Sequence, residues 1–370
     1  MLSTFRPPAV SEPRQAARLA LAGLVALLLM LVLAGTANAA RPVVFGIYPG
    51  GAAGTVGADN ATRPEVPALR RQALLRLRRP GRPFVVRIYN EYRGPSDADV
   101  LPPWLASQIA AYTLDGFKVE LVLPYRPSSP VGDVAGYVNF VRARVRQLGP
   151  NPNVTDLQVT NEANVNNAPN AADGAYPGAH DALVYGVMAA KAESRAGGFG
   201  QLRVGFSWAD QSGPAERAFF ATLGAKGGAA FANSVDWVGV DAYPGTWGPA
   251  LPSGKLVAAV RKATVRTMRR LRVKLMPAAG LRAARIHFSE AGYPTGPRRT
   301  TAMQKAVMRS AVRTVSKYRA KYGVTDFRWF DLRDANSSSP SFESQYGLMK
   351  DDYTPKPAFY TFRKLVSRQR

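Results

Sequence analysis

The sequence contains no cysteine and only two histidines, His180 and His287. Without cysteine the chain can form no disulfide bond, and it has neither a thiol nucleophile nor a cysteine metal site. The two histidines lie far apart in the sequence, which excludes a histidine-rich metal centre. We therefore expect neither a cofactor nor a bound metal.

Acidic residues are also scarce, with 25 Asp and Glu against 49 Lys and Arg and a formal net charge of +24. Two stretches, residues 255–274 and 298–321, carry eight basic residues each and no acidic residue. Both have the pattern of amphipathic helices, which indicates solvated outer faces. Neither shows the interleaved aromatics or the motifs of a nucleic-acid site. We expect weak electrostatic attachment to anionic cell-surface polymers and no binding of nucleic acid.

The N-terminal segment has the pattern of a secretory signal peptide. Arg14 and Arg18 precede an apolar run at 19–33, and small residues ending in Ala39 follow it. The sequence predicts a signal peptide over residues 1–39, cleavage after Ala39 and a secreted, monomeric protein. An uncleaved membrane anchor is the alternative, but no basic stop-transfer cluster follows the apolar run. Residues 40–370 contain no composition-biased linker, and we interpret them as one domain.

Strand-like and helix-like segments alternate along this domain. The predicted strands are 43–48, 84–89, 118–124, 156–160, 202–208, 237–242, 285–289 and 326–330. The predicted helices are 65–79, 103–115, 134–148, 179–196, 215–223, 255–271, 300–322 and 357–366. Eight strands alternating with eight helices predict a (β/α)₈ TIM barrel. A doubly wound sheet is the alternative, but the turn after the first strand lacks its glycine-rich phosphate motif.

Polar and aromatic residues cluster at the predicted carboxyl ends of the strands, where barrel enzymes build their sites. Strand four ends in Asn161 and Glu162, and strand seven ends in Glu290. Glycosidic bond cleavage needs two such carboxyl groups, about 5–5.5 Å apart for retention of configuration or about 6.5–9.5 Å apart for inversion. Strands four and seven lie on opposite sides of a barrel mouth, so Glu162 and Glu290 can converge as a catalytic pair.

These residues resemble the clan A glycoside hydrolases, a superfamily of retaining (β/α)₈-barrel enzymes. In that clan a Glu directly after an Asn at the end of strand four is the acid/base, as Glu162 is after Asn161. A Glu at the end of strand seven is the nucleophile, and Glu290 is similar in place. The resemblance rests on a few short motifs, and it implies a carbohydrate substrate without indicating which family or which sugar.

The resemblance also suggests residues that would bind the substrate. Arg87 and Tyr243 would lie beside an ionised Glu290, and Asn161 would donate to the 2-hydroxyl of the sugar. Trp329 would form the floor of the sugar site. Trp247 or Trp208 would also stack on a sugar face.

Two residues depart from the pattern of the clan. Ala163 follows the Asn-Glu pair where many members have Pro, and Asp241 stands two residues before Tyr243 where many have His. An anion at residue 241 is expected to raise the pKa of a neighbouring carboxyl group. Separately, burial or nearness to Glu290 is expected to raise the pKa of Glu162, so that it keeps its proton near neutral pH.

Two other functions remain open from the sequence. A metal-dependent barrel enzyme could use Asp241, Glu290 and Asp331, which end three successive strands, as oxygen ligands. A secreted barrel that binds carbohydrate without turning it over is the second.

Strict alternation along strand seven places His287 on the helix-facing side, as a structural residue.

Overall fold

The computed structural model describes residues 42–50, 62–211, 213–247 and 253–368. The predicted signal peptide lies outside these described residues. Eight parallel strands form a closed barrel in which each strand pairs with its neighbours in chain order. They are β1 (Val44–Ile47), β2 (Phe84–Tyr89), β3 (Lys118–Leu123), β4 (Val154–Val159), β5 (Arg203–Ala209), β6 (Trp237–Ala242), β7 (Arg285–Ala291) and β8 (Val324–Trp329).

A helix follows each strand and packs on the outside of the barrel. The helices are α1 (Pro67–Leu77), α2 (Pro103–Leu114), α3 (Val134–Leu148), α4 (Ala179–Ala196), α5 (Ala215–Ala232), α6 (Leu256–Arg270), α7 (Thr301–Tyr322) and α8 (Pro357–Arg368). All eight predicted helices are present, and the fold is the predicted (β/α)₈ barrel. No helix within the described ranges is both long and apolar enough to cross a membrane.

Helix α5 differs most from its predicted bounds. The prediction ends at residue 223, before the glycines at 224, 227 and 228, whereas the helix continues to Ala232. Gly228 has a non-helical backbone with a φ of 53°, so two helical segments meet there at a kink. Packing of Phe231 in the core outweighs the low helix propensity of glycine.

The apolar core lies between the barrel and its helices. Outward-facing side chains of the strands pack there, as in the ring contacts of Phe327 with Phe45 and Phe288. Phe45 in turn contacts Phe362 of α8. These outward-facing residues are apolar, and they helped to locate the strands in the sequence.

The inside of the barrel is charged. Glu120 of β3 accepts hydrogen bonds from Arg87 of β2 and from Nε of Arg328 of β8, the latter at 3.0 Å. Arg328 also donates to Asp326 at 2.8 Å, and Arg203 lies 2.8 Å from Asp156 and 3.2 Å from Asp326. We call Arg87, Glu120, Asp156, Arg203, Asp326 and Arg328 the interior ion network. Because each buried charge has an opposite partner, the network holds the strands in register without leaving an uncompensated ion.

Strand β7 contains an irregularity that reverses the predicted side of His287. The register between β7 and β8 shifts between Phe288 and Ala291. His287 therefore faces the barrel interior, where it stacks on Trp237 at 4.3 Å and its Nε2 lies 3.0 Å from Asp326. The prediction that His287 faces the helices is wrong, because a bulge breaks the strict alternation of a strand.

A buried ion pair anchors the segment between β8 and α8. Nζ of Lys356 donates to Oδ1 of Asp334 at 2.6 Å and to Oγ1 of Thr295 at 2.8 Å. Both charged side chains are almost fully buried. This contact connects the last loop of the barrel mouth to the loop after β7.

Candidate active site

The end of β4 turns sharply and presents two polar side chains at the barrel mouth. Thr160 and Glu162 have φ angles of 59° and 48°, which residues other than glycine adopt uncommonly. The backbone N–H of Glu162 donates to Oγ of Ser207 at 3.1 Å, and Asp173 accepts from the N–H of Asn161 at 2.6 Å. These contacts stabilise the unusual backbone conformation and fix the position from which the Glu162 side chain extends.

Glu290 at the end of β7 is held by three donors. Arg87 donates to its Oε1 at 3.0 Å, and Tyr89 donates to the same oxygen at 2.5 Å. Tyr243 donates to Oε2 at 2.5 Å. The carboxylate is almost fully buried, and these donors fix its orientation.

Three carboxyl groups meet at the barrel mouth. One oxygen from each of Glu162, Asp241 and Glu290 lies within 4.8 Å of the others. Asp241 of β6 points inward and accepts from Oγ of Ser289 at 2.6 Å. Glu162 and Glu290 come together as the strand order predicts, and Asp241 joins them as a third acid.

Burial and mutual repulsion favour the protonated forms of two of these acids. Burial raises the pKa of Glu162 well above its ordinary value, and the charges of Asp241 and Glu290 raise it further against the opposing effect of Arg87. Burial and the charge of Glu290 likewise raise the pKa of Asp241. The pKa of Tyr243 is also raised, first by burial and then by Glu290, so its phenol keeps the proton that it donates.

A hydrogen-bonded frame below the acids joins β2, β4 and β5. Arg87 donates to Oε1 of Gln158 at 2.8 Å. The Gln158 amide donates to Oδ1 of Asn161 at 3.1 Å and to Oγ of Ser207 at 3.0 Å. Gln158 thereby connects the guanidinium beside Glu290 to the Asn-Glu pair of β4. Gln158 was not predicted as a site residue, because the sequence does not show which residues of other strands contact it.

Asn161 lies at the mouth but already uses part of its hydrogen-bonding capacity. Its Nδ2 donates to the carbonyl of Ala171 at 2.9 Å, which leaves one amide hydrogen for a ligand. Asp173, which accepts from the Asn161 backbone, also accepts from the backbone N–H of Tyr125 at 2.7 Å. Burial raises the pKa of Asp173 to about 7. This buried acid joins the loop after β4 to the ends of β3 and β4.

The expected tryptophan floor is absent from its predicted position. Trp329 is 1% exposed and belongs to the outer apolar core, and Trp208 is fully buried against Phe220. Neither can stack on a sugar, so the predictions for both rings are wrong. Arg328 faces the barrel interior, and alternation therefore directs its neighbour Trp329 outward.

Phe330, the residue after Trp329, packs among the aromatics of the site instead. Its ring stacks on Tyr48 at 5.4 Å and contacts the edges of Tyr243 and Tyr346 at 6.1 and 5.8 Å. Tyr48 also contacts Tyr89 edge-on at 5.3 Å. Tyr89 and Phe330 were not predicted as site residues, although Tyr89 shares the inward face of β2 with Arg87 two residues earlier.

Trp247 is the one predicted aromatic platform that is open to solvent. It lies on the loop after β6 and is 61% exposed. Its ring contacts Phe342 of the loop after β8 at 5.5 Å. The indole thus lies on a loop that follows a strand end, and most of it is exposed to solvent.

The acids do not form the metal set considered from the sequence. Asp331 lies apart from the other two proposed ligands, beside Asp334, Lys356 and Arg333, and burial raises its pKa. Glu162 takes its place next to Asp241 and Glu290. Both oxygens of Glu290 already accept hydrogen bonds, one of them from a guanidinium, and this cation would repel a divalent ion. The donor set fits a metal poorly.

Comparison with known proteins shows a fold similar to those of several solved structures. No protein-family model matches the sequence, and a search of curated proteins found no match. Among solved structures, the fold is similar to a family 39 glycoside hydrolase from Bacteroides cellulosilyticus WH2, with a TM-score of 0.57 and 16% identity. That alignment covers 89% of this chain and 64% of the other.

Two β-glucuronidases are similar as well. The Ruminococcus gnavus enzyme has a TM-score of 0.52 and 13% identity over 80% of this chain and 46% of its own. The Bifidobacterium dentium enzyme, solved with coumarin-3-O-glucuronide, has a TM-score of 0.55 and 13% identity over 89% and 46%. This chain thus spans 46–64% of the length of these three solved chains. At such identities the comparisons establish the fold, a (β/α)₈ barrel of the kind found in glycoside hydrolases.

Proposed function

We propose that this protein is a glycoside hydrolase that cleaves β-linked oligo- or polysaccharides with retention of configuration. The observation that carries the proposal is the contrast between two neighbouring acids. The pKa of Glu162 is strongly raised. Glu290, which has an oxygen within 4.8 Å of a Glu162 oxygen, is oriented by three hydrogen-bond donors. One acid that holds a proton beside one fixed carboxylate is what glycoside cleavage requires.

In the first step Glu162 acts as the general acid. It transfers its proton to the glycosidic oxygen while a carboxylate oxygen of Glu290 attacks the anomeric carbon. The bond from this carbon to the leaving oxygen breaks, and an ester between the sugar and Glu290 forms. Tyr89 and Tyr243 hold the attacking carboxylate in place, and Asn161 has one amide hydrogen left for the sugar 2-hydroxyl.

In the second step Glu162, now ionised, removes a proton from water. The resulting nucleophile attacks the anomeric carbon, the ester bond to Glu290 breaks, and Glu162 regains its proton. The charge of Arg87 helps Glu290 to leave as an anion. Both carboxyl groups return to their starting states, so the cycle is balanced.

The spacing of the acids favours retention over inversion. Oxygens of Glu162 and Glu290 lie within 4.8 Å. An inverting pair needs about 6.5–9.5 Å to hold a water between the carboxyl groups, and a retaining pair about 5–5.5 Å. The β-configuration of the substrate is proposed from the similar β-glucuronidases, and the sugar itself is left to experiment.

The catalytic test uses variants that preserve shape. Wild type, Glu162→Gln and Glu290→Gln are assayed on a panel of aryl β-glycosides and polysaccharides, with Glu193→Gln as the control. Glu193 is a surface acid paired with Arg146 on the outer helices. We expect roughly a 10²–10⁴-fold loss of turnover for Glu162→Gln, a comparable or larger loss for Glu290→Gln, and no change in the control. Full activity in both catalytic variants would exclude this site.

The stereochemical test follows the first product formed. NMR of the reducing sugar released from an active substrate should show the β-anomer before mutarotation. An initial α-anomer would mean inversion and would remove the double-displacement mechanism.

We also propose that the protein is exported and cleaved after Ala39. The support is the sequence pattern of residues 1–39 alone. Intact mass and N-terminal sequence of the protein recovered outside producing cells would test it, since an uncleaved anchor would leave residue 1 in place and the protein on the membrane.

A further inference from the structure

Helices α7 and α8 form a basic groove on the outside of the barrel. It has a volume of about 390 Å³ and is lined by Lys305, Arg309, Arg313, Pro357, Tyr360, Thr361, Lys364, Leu365 and Arg368. A second depression that shares Arg313, Leu365 and Arg368 continues it toward Val312 and Ser316. We call the two together the α7/α8 groove.

The cations of the groove are exposed and uncompensated. Lys305, Arg309, Arg313, Lys364 and Arg368 are all solvent-exposed, and no acidic residue lines the groove. Within the described part of the chain, none of the five forms a salt bridge. Acid-free concave surfaces focus a positive potential and attract anions more strongly than isolated surface charges do.

The cations also stand in two rows. Lys305, Arg309 and Arg313 follow one another at intervals of four residues along α7, and Lys364 and Arg368 do so along α8. Four residues of helix advance the axis by about 6 Å, so each row presents a charge every turn. The buried residues between the α7 cations keep this face directed away from the barrel. Such an array matches a chain with repeated anionic groups better than a single small ion.

We propose that the α7/α8 groove binds an extended acidic polysaccharide that carries carboxylate groups. Guanidinium and ammonium groups are the partners that bind carboxylates in charge-assisted hydrogen bonds. The exposed ring of Tyr360 and the hydroxyl of Thr361 provide the amphipathic and hydrogen-bonding contacts that a sugar face needs. A single-stranded nucleic acid would need a series of aromatic rings for its bases, and the groove has one.

This site is distinct from the barrel mouth. The lining residues belong to the outer faces of α7 and α8, whereas the three acids lie at the carboxyl ends of β4, β6 and β7. A polymer in the groove therefore leaves the mouth open. The groove would keep the protein on an anionic polymer whether or not that polymer is the one it cleaves.

The binding test uses fluorescently labelled polygalacturonate and the full mature chain. The groove variant combines Lys305→Gln, Arg309→Gln and Lys364→Gln. The control variant combines Arg261→Gln and Lys262→Gln with Arg269→Gln on the exposed side of α6. Both variants lose three positive charges, and all six residues are exposed, so the folded state should persist in each; circular dichroism and thermal unfolding check this.

We expect polygalacturonate to bind the groove variant roughly tenfold more weakly than wild type, because three of the five cations that line the groove are lost. The control variant should lose less than about twofold, and binding should weaken as salt rises. An equal loss in both variants would mean unspecific attraction by net charge and would overturn the proposal, as would absence of binding.

Two further measurements separate this site from other partners and from catalysis. Tighter binding of a 20-nucleotide single strand or of phosphatidylserine vesicles than of polygalacturonate would overturn the choice of partner. Polygalacturonate should bind Glu290→Gln as tightly as wild type, because the groove does not depend on the acids of the mouth. Failure of the catalytic test would thus leave this proposal standing, and failure here would leave the proposed hydrolase standing.

Discussion

The third acid of the mouth gives the sharpest test of the site. Replacing Asp241 by Asn removes a charge while preserving size and the acceptor for Ser289. The charge of Asp241 is the largest electrostatic contribution, after burial, that raises the pKa of Glu162. Its removal should lower that pKa, so Glu162 should lose its proton at a lower pH than in wild type.

The size of the effect follows from the distance. Two unit charges at the 4.8 Å limit of the cluster repel by about 3.5 kcal/mol at an effective dielectric constant of about 20. The shift in the pKa of Glu162 should be smaller than this full repulsion implies, because burial and Glu290 also raise the pKa of Asp241 and so favour its uncharged form. If a third of the repulsion survives, the alkaline limb of the pH profile moves down by about one pH unit.

The assay is the pH dependence of kcat/KM, whose alkaline limb reports the proton of the acid in the free enzyme. Infrared titration of the protonated carboxyl band gives the same information without a substrate. Asp331→Asn is the matched control, because this buried acid follows β8 but lies outside the cluster. An alkaline limb that does not move in Asp241→Asn would refute the coupling between the two acids.

Three further outcomes follow from the contacts. Tyr243→Phe removes a donor to Glu290, and a hydrogen bond to a charged group contributes about 1.5–3 kcal/mol, so kcat/KM should fall roughly 10–150-fold; an unchanged value would show that the contact is dispensable. Lys356→Met leaves Asp334 buried without its cation and should lower the free energy of unfolding by about 3–5 kcal/mol in urea titrations. Adding Asp334→Asn should restore much of that loss, and no restoration would contradict the pairing. Trp247→Ala should raise KM while leaving kcat and the melting temperature unchanged, whereas an unchanged KM would remove this indole from the substrate site.

The positions of the strands were predictable because of where parallel strands lie. The outward-facing residues of each strand are apolar because they pack against the helices, and loop residues separate the strands. The two acids could be paired for the same reason, since all strand ends of a barrel meet at one face. Thus Glu162 and Glu290, which are 128 residues apart, could be assigned to one site from the order of the strands.

The residues around the acids were harder to predict, because successive side chains along a strand point to opposite faces of the sheet. An error of one residue at a strand end moves a side chain from the mouth to the outer core. This is why the floor was assigned to Trp329 when Phe330 packs beside Tyr243. The bulge in β7 had the same effect on His287, and nothing in the local sequence marks it.

The support beneath the acids could not be predicted for a different reason. Glu120 lies in the strand sequence Lys-Val-Glu-Leu-Val-Leu and Gln158 in Val-Thr-Asp-Leu-Gln-Val, and neither sequence shows which residues these side chains contact. Their roles come from partners on other strands, and the register of those strands is set by the closed barrel rather than by any local pattern. Tyr89 could have been predicted from the sequence, because it shares a face of β2 with Arg87 and lies at the end of the strand.

The interior ion network also determines how this barrel can change during evolution. Glu120 serves two arginines from different strands, Arg87 and Arg328, so a neutral residue at 120 would leave two buried cations short of a partner. A neutral residue at 120 should lower the free energy of unfolding by about 3–5 kcal/mol, and replacing Arg328 as well would still leave Arg87 without Glu120 and Asp326 without Arg328. Residues 87, 120, 326 and 328 should therefore change together in related chains. The bottom of the barrel would then change in linked steps, even where the loops at its mouth diverge freely.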